Sequence, residues 1–281
     1  MNKLSEPSFS IAIYYDSMIE NIIKTNEHGS LKPIYQSIKQ TLVSEELKYK
    51  TLANNGDLNN IPQGVLPSNK LDKKDMKFLY TKLKKEGRTY YDLIKNNTYL
   101  KRCPYCEKRD VSELDHFLPQ DTHPMYAVTP ANLVPSCHDC NTVKLNKNRE
   151  IIHPYFEDTS YEKWMVCEIK VLFQVMIVSY KISFKDSSLP QKTKDRIVNT
   201  VNLLELHTNY ATWASSLISN KKLIWKNQFQ TGGINALINL ITQEQMSINP
   251  QLESENSYKK SFYRGFIEYL NQQNPDMSFL R

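Results

Sequence analysis

Glycine is scarce: the chain of 281 residues holds only seven. With 23% charged and 40% hydrophobic residues, such a composition excludes collagen-like and disordered chains. Long apolar runs are missing too. The longest, near Val171–Val178, is interrupted by Gln174 and is too short to span a bilayer. The opening MNKLSEPSFSIAIYY lacks the basic start and apolar run of a secretory signal. Internal repeats, low-complexity tracts and groove-reading motifs such as a helix-turn-helix are also absent. What is left is a globular chain of cytoplasmic type, with no membrane partner expected and enough apolar residues for a substantial core.

The formal net charge of +6 permits a polyanionic partner without requiring one. Its distribution says more. Lys70, Lys73, Lys74, Lys77, Lys82, Lys84, Lys85 and Arg88 crowd one segment, which reads best as a solvated helix face. Lys101, Arg102, Lys108, Arg109, Lys144, Lys147 and Arg149 instead flank four cysteines.

Periodicity divides the chain into three regions. Residues 1–98 read as helical; Met76, Leu79, Tyr80 and Leu83 form one apolar stripe, Gly87 ends that helix, and Thr89 with Asp92 resembles a capping box opening the next. Asn54 to Asn69 is a loop rich in Asn, Pro and Gly. Residues 99–158 break the helical period. Residues 159–281 begin with strand-like alternation (Val178, Tyr180, Ile182, Phe184) and continue with helices. The fold class expected is α+β, mainly helical.

The middle region carries the chemistry. Cys103-Pro-Tyr-Cys106 and Cys137-His-Asp-Cys140 are two C-x-x-C knuckles, each able to offer two thiolates to one tetrahedral ion. Together they predict a closed structural Zn²⁺ site. Stable disulfides are disfavoured in a cytoplasmic setting, and a redox pair has no need of a duplicate. Cys167 stands apart in an apolar run and reads as a small buried hydrophobe.

Between and just after the knuckles lie Leu114-Asp115-His116-Phe117-Leu118-Pro119, Asn132-Leu133-Val134-Pro135, and Asn141 with Lys144. Singly, each polar residue has an ordinary structural reading as a cap, a turn or a core histidine. Jointly, residues 103 to 149 resemble the HNH endonuclease family, in which zinc knuckles flank a strand ending in Asp-His. The resemblance implies a central zinc-stabilised ββα-metal module between helical flanks, hydrolysing phosphodiester bonds in nucleic acid, with DNA favoured. It further implies Asp115 and Asn141 as oxygen ligands of a catalytic Mg²⁺ or Mn²⁺, and Asn132 as the residue holding the loop and orienting His116. His116, adjacent to Asp115 in a strand, points to the opposite side and suits the task of general base. Lys144 is a candidate phosphate contact. His153, in His153-Pro154-Tyr155-Phe156, is a candidate substrate contact or supporting group, with a packed turn as its alternative.

The wording around Asp115-His116, Asn132 and His153 resembles more narrowly the PtuB-type nucleases of Septu and retron anti-phage systems. That implies an effector role in defence and assembly with an ABC-type ATPase partner of PtuA type. The long helical start departs from the shorter forms of that group. The competing reading is a non-catalytic zinc module that binds nucleic acid or protein. Substrate choice and oligomeric state leave no mark on the sequence.

Overall fold

The computed structural model describes residues 1–145 and 150–281. Lys147 and Arg149, counted above in the basic flank, lie outside the described residues. The chain is α+β and falls into two compact units, Lys3–Glu157 and Asp158–Arg281 with Met1–Asn2. Among the described residues no helix is long and apolar enough to cross a membrane.

In the unit Lys3–Glu157, α1 (Ile11–Ile19) is followed by a two-residue hairpin, β1 (Thr25–Asn26) and β2 (Gly29–Ser30), and by α2 (Leu31–Asn54). Then come α3 (Lys73–Lys85), α4 (Arg88–Lys95), β3 (Glu113–His116), β4 (Leu133–Ser136) and α5 (His138–Lys144). Helix α3 starts where Asp72 accepts the Asp75 backbone N–H while the Asp75 carboxylate accepts that of Asp72, a reciprocal cap. Its apolar stripe, Met76, Leu79, Tyr80 and Leu83, is buried as the periodicity predicts. The box expected at Thr89 and Asp92 does not form. Gly87 is the N-cap of α4, which puts Thr89 inside the helix, and Asp92 accepts from Arg88 Nε at 2.7 Å instead. The loop after α2 contains one short 3₁₀ turn, Leu58–Asn60.

Strands β3 and β4 pair antiparallel in a two-stranded sheet, with Asp115 opposite Val134 and His116 opposite Leu133. Among the described residues one edge of β3 therefore has no strand partner, and α4 packs against the sheet. The chain then turns through Cys137, whose Sγ caps α5.

In the other unit, β5 (Met165–Leu172) and β6 (Val175–Ile182) form a hairpin through Phe173 and Gln174, both in the left-handed region. The alternation read from the sequence holds in part: Val178 and Tyr180 are buried between exposed neighbours, but β6 ends at Ile182, and Ile182, Ser183 and Phe184 are all half-buried. Cys167 is buried on β5. Helices α6 (Gln191–Leu203), α7 (Leu206–Met246, broken at Gly233) and α8 (Tyr258–Leu270) complete it. Gly265 lets α8 lie directly on β5, because a Cβ there would overlap the Cys167 carbonyl oxygen. Gly265→Ala is expected to lower stability by roughly 1–3 kcal/mol through overpacking. An unchanged midpoint in urea would show that this approach is not tight.

Candidate active site

The four knuckle cysteines converge. Their sulfurs all lie within 4.8 Å of one another, all four residues are buried, and none is in a disulfide. Backbone hydrogen bonds shape each knuckle: Cys103 N–H donates to the Arg109 carbonyl, Glu107 N–H to that of Cys103, and Asn141 N–H to that of Cys137. Zn–S bonds of ~2.3 Å require sulfur separations of about 3.8 Å in a tetrahedron. Cys106 Sγ and Cys137 Sγ stand 3.9 Å apart. Four thiolates with no hard donor among them suit zinc.

Beside this cluster lies a cleft of about 250 Å³ running from α3 across β3 to α5. Asp115, His116 and Asn141 line it together, joined by Tyr80, Lys84, Glu113 and Asp121. Asp115 and His116 project to opposite sides of β3, as adjacent strand residues must. Asp115 turns toward Tyr105 and Lys144, His116 toward Tyr80 and Ala127.

His116 is buried, with one ring nitrogen engaged. Nε2 stands 2.8 Å from the Ala127 carbonyl oxygen. A carbonyl only accepts, so Nε2 carries the hydrogen of the neutral ring and Nδ1 carries the lone pair. The Tyr80 ring meets the imidazole edge to face at 4.5 Å. Burial, with smaller contributions from the charges of Lys144 and Lys84, pushes the His116 pKa down to about 4 against the pull of Ala127. The ring is neutral at pH 7.

Asp115 is buried too, and desolvation raises its pKa against the opposing effect of Lys144. The Lys144 ammonium donates to Asp115 Oδ1 at 3.1 Å, to the His116 carbonyl at 2.7 Å and to the Phe117 carbonyl at 2.9 Å. Those three acceptors use its three N–H groups. The sequence placed Lys144 at a phosphate. Here it is 2% exposed, and its charge is taken up inside the protein by one carboxylate and two carbonyls. Tyr105 Oη donates to Asp115 Oδ2 at 3.2 Å.

Asn132 is fully buried and fully bonded. Its Oδ1 accepts from Leu118 N–H at 2.7 Å and from Tyr49 Oη at 3.1 Å; its Nδ2 donates to the Leu118 and Tyr126 carbonyls, both at 3.1 Å. Its own carbonyl accepts from Phe117 N–H. It clamps the segment that leaves β3 just after His116.

His153 does not reach the cleft. It is 2% exposed, stacked at 4.0 Å on Phe117 and packed among Tyr155 and Phe156, the arrangement of a packed turn. Tyr155 N–H donates to its Nδ1, which leaves the hydrogen on Nε2, 3.2 Å from Tyr49 Oη. Donation thus runs from His153 to Tyr49 to Asn132, a chain that needs a neutral imidazole. Burial holds His153 in that form.

Sequence reasoning passed over Tyr49, Tyr80, Lys84 and Tyr105 as members of this site. Only Tyr105, inside the first knuckle, sits near a motif. Tyr49 and Tyr80 look like any other residues of a buried helical stripe.

No family model matches the chain, and no solved structure does. The chain is similar to Protein ea31 of Escherichia phage lambda, 26% identical over 241 residues and 78% of each chain. It is also similar to Septu protein PtuB of Bacillus thuringiensis, 37% identical over 82 residues. That second likeness covers 26% of this chain, and the chain spans about a third (32%) of PtuB's length. A distant, partial homology to a Septu protein is therefore present.

Proposed function

We propose that the cleft is the active centre of an HNH-type, metal-dependent endonuclease with a ββα-metal module at residues 99–158. The carrying observation is that Asp115, His116 and Asn141 line one cleft beside the four-cysteine cluster. Asp115 and Asn141 would hold Mg²⁺ or Mn²⁺, and the donors fit: a carboxylate and an amide oxygen are hard ligands, and such ions fill their remaining positions with water and phosphate oxygen. Bound there, the ion supplies charge stabilisation to the phosphate and leaving oxygen.

The chain's own residues supply the rest. His116 Nδ1, aimed by the Nε2 bond to Ala127, takes the proton of the attacking water. A phosphate entering the cleft brings negative charge toward the imidazole and raises its pKa toward the range a base needs. Lys144 opposes the rise that burial imposes on the Asp115 pKa, and Asn132 holds the turn after His116. The similarity to PtuB supports a part in anti-phage defence, in complex with an ATPase as the resemblance implies.

The test is cleavage of DNA and RNA by the purified chain, alone and with any partner copurifying with it, in Mg²⁺ and Mn²⁺. His116→Ala is expected to lower the rate roughly 10²–10⁴-fold with an unchanged melting profile. A fully active alanine variant overturns the assignment.

One observation favours a second reading, a non-catalytic zinc module. Both Asp115 oxygens already accept protein hydrogen bonds, Oδ1 from Lys144 and Oδ2 from Tyr105. A carboxylate has about four acceptor positions, so half are already taken. Mn²⁺ titration followed by electron paramagnetic resonance separates the two readings: binding weakened by Asp115→Asn supports the nuclease, and no binding supports the module.

A further inference from the structure

We infer that Lys84 of α3 binds a non-bridging oxygen of the scissile phosphate when a DNA strand lies in the cleft. The inference rests on the nuclease reading and adds to it the group that receives the substrate's charge. Lys84 is exposed and lines the cleft together with Asp115, His116 and Asn141.

Its neighbours distinguish it from a solvated surface lysine. The ammonium stands 4.6 Å from the Tyr80 ring centroid, and that ring stands 4.5 Å from the His116 ring. The cation and the base are thus held on one aromatic platform, within about 9 Å of each other. Packing on a tyrosine face also limits the freedom of a long flexible stem before the phosphate arrives.

Among the described residues, three other lysines of this region are committed elsewhere. Lys144 is buried against Asp115 and two carbonyls, Lys77 pairs with Asp121, and Lys82 pairs with Glu86. Of the described lining residues, Lys84 alone carries a permanent positive charge, while Glu113, Asp115 and Asp121 bring carboxylates. A polyanion entering a cleft of that character needs a cation at the reacting phosphate, and α3 delivers one from outside the β3–β4–α5 module.

The experiment compares wild type, Lys84→Gln, Lys84→Arg and Lys85→Gln. Lys85 is the next residue, equally exposed, and does not line the cleft. Binding of a short double-stranded DNA is followed by fluorescence anisotropy across a salt series without added divalent ion, and cleavage is measured with Mg²⁺ or Mn²⁺. Lys84→Gln is expected to reduce the slope of log affinity against log salt by ~0.9. Cleavage should fall roughly 10²-fold, as for loss of one charge-stabilising donor. Lys84→Arg should keep the wild-type slope, and Lys85→Gln should keep both slope and rate. If wild type binds and cleaves while the two glutamine variants behave alike, the role of Lys84 is overturned and the nuclease reading stands. If wild type neither binds nor cleaves, alone or with any partner copurifying with it, the nuclease reading fails and this inference falls with it.

Discussion

Replacing Cys103 with serine, or removing metal with a chelator, is expected to unfold the unit Lys3–Glu157 around its knuckles. Residues 102–112 contain no helix or strand, only a bridge between Arg102 and Asp110. Four buried sulfurs in contact therefore need the ion to hold that segment to β4 and α5. Structural zinc contributes about 10–16 kcal/mol to small modules, against a whole-domain stability of about 5–15 kcal/mol. Serine keeps the shape of cysteine and loses the thiolate. Elemental analysis should find one zinc per wild-type chain and none in Cys103→Ser, with the loss of a cooperative melting transition. Cys167→Ser, which alters a buried thiol in the other unit, should keep its zinc. A metal-free protein melting like wild type would refute the zinc site.

Lys144→Met is expected to cost about 3–5 kcal/mol, because it leaves Asp115 as a buried charge without its cation. The methionine stem matches the lysine stem in length, so the loss reports the ammonium rather than a cavity. Adding Asp115→Asn removes the stranded charge, and the double variant should recover part of the loss, a coupling visible in a double-mutant cycle by urea unfolding. A single variant within ~0.5 kcal/mol of wild type would place Lys144 at the surface, where such changes are nearly neutral. The test also separates two roles: a phosphate-binding lysine would lose activity without losing stability.

The difference between Lys144 as expected and Lys144 as found shows where sequence reading ends. Its spacing from Asn141 puts it one helical turn on, toward the site, but spacing does not say whether the ammonium stops at a substrate or continues into the protein. Short α5 and the turn after His116 bring two carbonyls and Asp115 within its reach, and burial then makes that pairing obligatory. His153 is similar. Its aromatic surroundings come from Phe117, thirty-six residues earlier in the chain, and from Tyr49 on α2. The capping box shows the same thing locally: Thr89 and Asp92 have the right spacing, but Gly87 starts the helix two residues sooner, and Asp72 and Asp75 form the reciprocal cap on α3 instead.

What the sequence by itself determined about this protein is the set of features whose geometry is local. A C-x-x-C pair brings two sulfurs together within a single turn, Asp-His in a strand splits two side chains to opposite sides, and alternation marks the β5–β6 hairpin. Tertiary structure alone decided that the two knuckles meet, that Asp115, His116 and Asn141 share one cleft, and that Lys144 and His153 are internal supports. It also decided that Lys84, read from the sequence as one lysine of a solvated face, stands over Tyr80, whose ring also meets His116. The physical reason is range. Backbone periodicity acts over a few residues, whereas burial and charge pairing depend on which distant segments pack together, and here α3 supplies one wall of the cleft while Tyr49 of α2 and His153 support Asn132 and Phe117 behind it.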